Sequence, residues 1–203
     1  DASCGGIDDA TAGPPPVGFR HRRASDVFPA GNTMLRRSAL HASGLFDLVY
    51  DQGSRADHDL GMRLYEQGAL LVYDPTPLVF HHHAPSGGLR AHGARTITRA
   101  GSRRSLAVRA LPSATELYLG LRYFTPHQNH ESGPIRLLSL VFGEGPLRRR
   151  VARAIVQVAL LPSSARRIAE RRSEAREFLA SRPDIPKLED EPEVPPADRH
   201  VPR

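Results

Sequence analysis

Gly31-Asn32-Thr33-Met34-Leu35-Arg36-Arg37, Gly44-Leu45-Phe46-Asp47 and Asp57-His58-Asp59-Leu60-Gly61-Met62-Arg63-Leu64, followed by Gly68, Pro75 and His81, are the stretches whose order decides how this chain is read. A helix is expected over Arg36 to Ser43, stopping at Gly44, because glycine tolerates the left-handed backbone that closes a helix. A second helix begins near Asp57, sets Leu60 and Leu64 on one face and ends at Gly68. Asp59 and Arg63 stand four apart in it with the acid first, the favourable order for a helical ion pair. Ala69 to Tyr73 then reads as a buried strand, Asp74-Pro75 as a turn, and Leu78-Val79-Phe80 as another short strand.

Working outward, residues 1–27 contain Gly5-Gly6, Pro14-Pro15-Pro16 and scattered charges without periodicity, so they read as a long connecting loop. Asp8-Asp9 lies in that loop with no apolar strand evident before it. No initiating Met and no basic-then-apolar leader opens the chain, and the reading expects an internal cut with more protein upstream. Residues 28–85 form the compact α/β segment just described, and 86–182 turn helical. Ser113 with Glu116 is a capping-box signature, followed by Leu117, Leu121 and Phe124 at helical spacing. Pro146 opens a helix carrying Val151, Ile155 and Val158, Pro162 is expected to end it, and a third runs from Ser164 to Ala180. Residues 183–203 are expected to be a disordered tail, since six prolines lie among the 21 residues beyond Arg182 and apolar surface is scarce.

Composition narrows the function classes. The 203 residues can bury a real core. A single cysteine, Cys4, excludes an internal disulfide framework and a Cys-based zinc cluster, and fits a reducing, cytoplasmic setting. The longest apolar run, Ala154 to Leu161 broken by Gln157, falls far short of the roughly 20 residues of a membrane-spanning helix.

In order and spacing, the residues from Gly31 to His81 resemble the second half of family-2 glycosyltransferases of the GT-A fold, over roughly residues 28–85. The resemblance implies a partial, Rossmann-like α/β domain and an inverting transfer from a nucleotide-sugar donor to a saccharide or lipid-linked acceptor in bacterial cell-envelope polysaccharide synthesis. It implies a divalent cation, Mn or Mg, and a donor-binding half, with an Asp-X-Asp-type motif, that these residues do not supply. It places the catalytic base at Asp57, where a helix start would hold a carboxylate among backbone N–H groups; a plain helix cap is the alternative. The pattern departs at Ala56, where such enzymes commonly carry glutamate. Asp59 is a second candidate for base or substrate contact, against a structural ion pair with Arg63. His81 is the implied metal ligand, with His83 next on the same face of an extended strand. Gly31 and Asn32 suit a loop that approaches substrate, or a simple turn, and Arg36 and Arg37 suit phosphate, or a solvated helix start.

Between Ser86 and Arg176 stand 17 Arg against 5 Glu and no Asp. Arg148, Arg149, Arg150 and Arg153 flank Val151, Ile155 and Val158. Such a helix can pack its apolar face on the catalytic segment or rest on an anionic membrane surface. Aromatic residues are few and no recognition motif accompanies the arginines, so no nucleic acid is expected. The competing function is a non-catalytic basic module that docks on an anionic membrane or nucleic acid.

Overall fold

The computed structural model describes residues 2–8, 20–25, 28, 30–51, 53–80, 111–142, 146–181 and 185–189. They form a mixed α/β structure. Its sheet contains β1 (Ala2–Asp8), β2 (Arg23–Ala24), β3 (Thr33–Leu35) and β4 (Leu71–Phe80), in the order β2-β4-β1-β3. β1 runs parallel to β4 and antiparallel to β3, while β2 borders β4 antiparallel.

β1 corrects the expectation of a continuous loop over residues 1–27, and it supplies a strand ahead of Asp8-Asp9. Its Gly5-Gly6 step hid it from an apolar-pattern reading. The glycine is needed for a close approach: a Cβ on Gly5 would come within 2.3 Å of the Asn32 amide nitrogen and 2.4 Å of the Pro77 carbonyl oxygen. Opposite this step β4 carries extra chain, since Gly5 pairs with Asp74 but Gly6 with Leu78. Pro75, Thr76 and Pro77 therefore bulge from the ladder. The two expected strands at 69–73 and 78–80 are one strand, because β1 pairs with it on both sides of the bulge. Asp74 closes the bulge by accepting from the Thr76 N–H at 3.0 Å and pairing with Arg22. Asn32 donates to the Pro77 carbonyl at 3.1 Å.

Helices α1 (Arg37–Ser43) and α2 (Ala56–Glu66) follow the sequence reading closely. Gly44 closes α1 with φ +75°, its N–H donating to Leu40, and Gly68 follows α2 with φ +76°. Leu60 and Leu64 of α2 pack with Ala2, Phe28 and Leu71, and Leu35, Ala39 and Leu40 border them. Gly61 lets α2 approach Phe28, whose Cβ would lie 2.7 Å from a Cβ at position 61. Gly61→Ala should therefore destabilise the fold by about 1–3 kcal/mol through overpacking, although alanine is the better helix former by about 1 kcal/mol. Urea denaturation checks this; a stability gain would show that the contact relaxes freely.

Beyond the sheet lie α3 (Ala114–Tyr123), α4 (Pro126–Phe142) and α5 (Leu147–Ala180). The Ser113/Glu116 capping box is present as expected. Periodicity marks no helix over α4, whose pattern Gly133-Pro134 interrupts. Pro162 does not end its helix: α5 runs through it for 34 residues. The missing N–H forfeits one bond to Val158. Packing of Ala175 and Phe178 with Tyr118 and Tyr50 holds the second half of α5 in place regardless. The apolar face of Val151, Ile155 and Val158 does not cover the α/β segment. All three are exposed, whereas Arg153 and Gln157 are buried.

The extension is also joined more closely to residues 28–85 than the division at 86 implies, because Val49, Tyr50 and Ala56 pack with α3 and α5. Of the expected tail, Ile185–Glu189 lies against the end of α1. Leu45 donates to the Pro186 carbonyl at 2.8 Å, and a Cβ on Gly44 would meet Ile185 at 2.6 Å.

Candidate active site

Arg55 precedes α2 with φ +86° and ψ 11°, a left-handed conformation unusual for a residue with a side chain. Its guanidinium is held from two directions. Nε and Nη2 donate to Glu116 Oε1 at 2.9 and 2.6 Å, and Nη1 lies 3.1 Å from His58 Nε2. Glu116 is fixed in turn, its Oε2 accepting from the Ser113 N–H at 3.1 Å as part of the capping box. Strain of this kind, about 1–3 kcal/mol where surroundings enforce it, tends to gather at functional sites.

Asp57 sits in the first turn of α2, with a side chain 36% exposed. It is not the residue that caps the helix; Arg55 holds that position without a side-chain cap. Asp57 Oδ1 accepts from the His58 N–H at 2.9 Å and lies 2.9 Å from His58 Nδ1. Arginine can only donate, so His58 Nε2 accepts from Arg55 and the ring proton falls on Nδ1, toward Asp57. Partial burial pushes the Asp57 carboxyl up, but hydrogen bonds from the His58 ring and backbone N–H outweigh it and hold the group below the usual carboxylate range. The helix N-terminus favours the same anion. The group is therefore ionised at neutral pH. Its contribution to stability is present above the unfolded carboxylate pKa of about 3.9 and is lost as pH falls through the lower folded value.

Asp59, two residues on, is fully buried. Oδ2 accepts from Arg63 Nε at 3.0 Å, and Oδ1 from Arg122 Nη1 at 2.7 Å and the Tyr123 hydroxyl at 2.9 Å. Arg63 reaches on to the carbonyls of Ser43 and Leu45. Arg122 Nη1 also donates to Asp47 Oδ2 at 2.9 Å, a carboxylate that accepts from Tyr118 at 2.9 Å and from the Val49 N–H at 3.0 Å. Asp59 is thus the structural partner of Arg63, with a second cation that periodicity does not announce.

Burial first, then the carboxylates nearby, push the Tyr118 and Tyr123 phenols far above their ordinary value; burial and Asp59 do the same to Tyr50. A raised phenol pKa contributes stability that is complete below the unfolded value of about 10 and is lost as pH climbs beyond it. In an alkaline titration, the last phases of phenolate absorbance should appear only together with loss of circular dichroism. Full ionisation in a folded chain would contradict the network.

Four of the other expected residues lie on the segment from the 3₁₀ turn to α1. Gly31 and Asn32 end a single 3₁₀ turn before β3. Gly31 is exposed with open space at its Cβ position, so nothing among the described residues demands glycine there. Asn32 spends its amide on the β4 bulge. Arg36 precedes α1, and Arg37 reaches His41 at 3.3 Å and the Glu189 carbonyl at 3.4 Å. His81 and His83 lie outside the described residues.

No family model, curated protein or solved structure matches this chain.

Among the described residues no three His, Cys, Asp or Glu groups gather as a metal site. Asp57 and His58 are hydrogen-bonded to each other through Oδ1 and Nδ1. The described residues alone do not assemble a divalent-cation site. What sequence reasoning missed around Asp57 is Arg55, His58 and Glu116. The capping box was the available signal, because it fixes Glu116, but nothing local says that Arg55 is its partner 61 positions earlier.

Proposed function

We propose that this chain is the acceptor-side half and C-terminal extension of an inverting nucleotide-sugar glycosyltransferase of the GT-A type, with Asp57 as its general base. The acceptor is a saccharide or lipid-linked acceptor of bacterial cell-envelope polysaccharide synthesis. The observation that carries the reading is the contrast between two carboxylates on one helix. Asp59 is buried with both oxygens occupied, whereas Asp57 is partly exposed and ionised, and its Oδ2 has no partner among the described residues. That oxygen can take the proton of an acceptor hydroxyl as the hydroxyl oxygen bonds to the anomeric carbon. The carbon–oxygen bond to the nucleoside diphosphate breaks on the opposite face, and configuration inverts.

His58 and Arg55 act as positioning residues in this scheme. The Nδ1–H of His58 keeps Oδ1 occupied and the carboxylate oriented, and Arg55 fixes the tautomer that makes this possible. The mixed parallel and antiparallel sheet, with two helices packed beside it, supports the same reading at the level of fold class.

The product of the complete reading frame containing this chain should release nucleoside diphosphate from a sugar nucleotide only when an acceptor saccharide is present. Proton NMR of the new glycoside should show the anomeric configuration opposite to that of the donor. Retention of configuration would overturn the reading, since a single displacement assisted by one base cannot produce it.

A further inference from the structure

The first half of α5 is turned inside out relative to an ordinary surface helix. Leu147, Val151, Ile155 and Val158 are 72%, 51%, 65% and 65% exposed, while Arg153 and Gln157 on the opposite side are buried. Spacings of four, four and three residues set the four aliphatic side chains in one stripe, and Leu161 extends it. Fifteen residues at about 1.5 Å each give a strip roughly 22 Å long. No described helix is long and apolar enough to cross a membrane, so the strip does not belong to a spanning segment.

Charge identifies what covers it. From Leu147 to Ala169 the sequence has six arginines and no acid. By helical position Arg148 and Arg150 stand on the two borders of the stripe. A second copy packed along this half of the helix would bring six more arginines and no acid to the same interface. Residues 86–110 carry six arginines and no acid as well, and residues 190–203 offer only Val194 and Val201 as branched aliphatics. An apolar strip with cationic borders matches the interface of a bilayer, where acyl chains receive the aliphatics and anionic headgroups the arginines.

We propose that the Leu147–Val158 stripe of α5 seats this protein on the surface of a bilayer containing anionic phospholipid, with the helix axis parallel to the membrane. This is independent of the transfer chemistry at Asp57, and either can fail without the other.

Flotation of the full chain with vesicles of phosphatidylglycerol and phosphatidylcholine tests it. The chain should float with these vesicles, weakly or not at all with phosphatidylcholine alone, and less as salt is raised. Ile155→Glu/Val158→Glu alters only exposed positions and should weaken vesicle binding about tenfold or more with circular dichroism unchanged. Because the chain has no tryptophan, Ile155→Trp supplies a second readout: its emission should shift to the blue on adding anionic vesicles. Absence of binding to anionic vesicles at low salt, equal binding by the double variant, or no blue shift would overturn the proposal. Sedimentation showing a dimer that the double variant dissociates, without vesicle binding, would assign the stripe to a second copy and overturn it equally.

Discussion

Under the proposed transfer reaction, Asp57→Asn in the product of the complete reading frame should lower sugar transfer about 100- to 10,000-fold while leaving donor affinity within a few-fold of the parent. The amide keeps the size of the carboxylate but cannot take a proton at neutral pH. A second effect follows from the geometry. The asparagine must offer its oxygen to the Nδ1–H and backbone N–H of His58, which turns its NH2 toward the position of Oδ2. The acceptor hydroxyl would then meet a donor where the base had been, so loss should fall on turnover rather than on folding. Chemical denaturation should show little change, since the group is partly exposed. Transfer within a few-fold of the parent would remove Asp57 from the mechanism. Asp59→Asn should behave differently, lowering stability first, because its carboxylate answers two guanidinium groups and a phenol.

Arg122→Ala should be the most destabilising single change, about 3–5 kcal/mol. One nitrogen, Nη1, serves Asp47 Oδ2 and Asp59 Oδ1, both fully buried carboxylates, and lies 3.3 Å from the Tyr118 hydroxyl. Removing it strands negative charge in the interior, which costs far more than the lost attraction alone. The guanidinium carbon also lies 5.3 and 5.0 Å from the Tyr118 and Tyr123 ring centres, contacts that alanine forfeits. Arg122→Lys should recover part of the loss, because an ammonium has three donors to distribute among the same acceptors. Urea denaturation measures both. A cost below about 1 kcal/mol for alanine would mean that water reaches the two carboxylates and that the network is not a dry one.

The sequence makes most of the helical geometry legible, and the reason is local. Gly44 and Gly68 stop helices by backbone conformation, the Ser113/Glu116 box starts one, and the Asp59–Arg63 pair needs only helical spacing. What escapes is what depends on partners distant in the chain. β1 has too little apolar character to be recognised, and its Gly5 answers to the Asn32 side chain and the β4 bulge. Continuation of α5 through Pro162 depends on Tyr50 and Tyr118, not on its own residues. At the candidate site the two carboxylates are visible in the sequence, but their inequality is not. Arg122 and Tyr123 come from α3, more than sixty positions later, and they decide which aspartate is tied into the interior.

The segment Ile185–Glu189 has a bearing on how the molecule is made. The Leu45 N–H finds its acceptor in Pro186, and Arg37 reaches Glu189 across 152 positions of sequence. At translation rates of about 5–20 residues per second, roughly 8 to 30 s separate the synthesis of the two ends of that contact. Until then the turn after α1 waits on the ribosome with an unanswered donor and an uncovered Gly44. The segment that bears the candidate base therefore completes its backbone hydrogen bonding only after residues 186–189 have been made, and a chain cut short before them would leave the turn after α1 open.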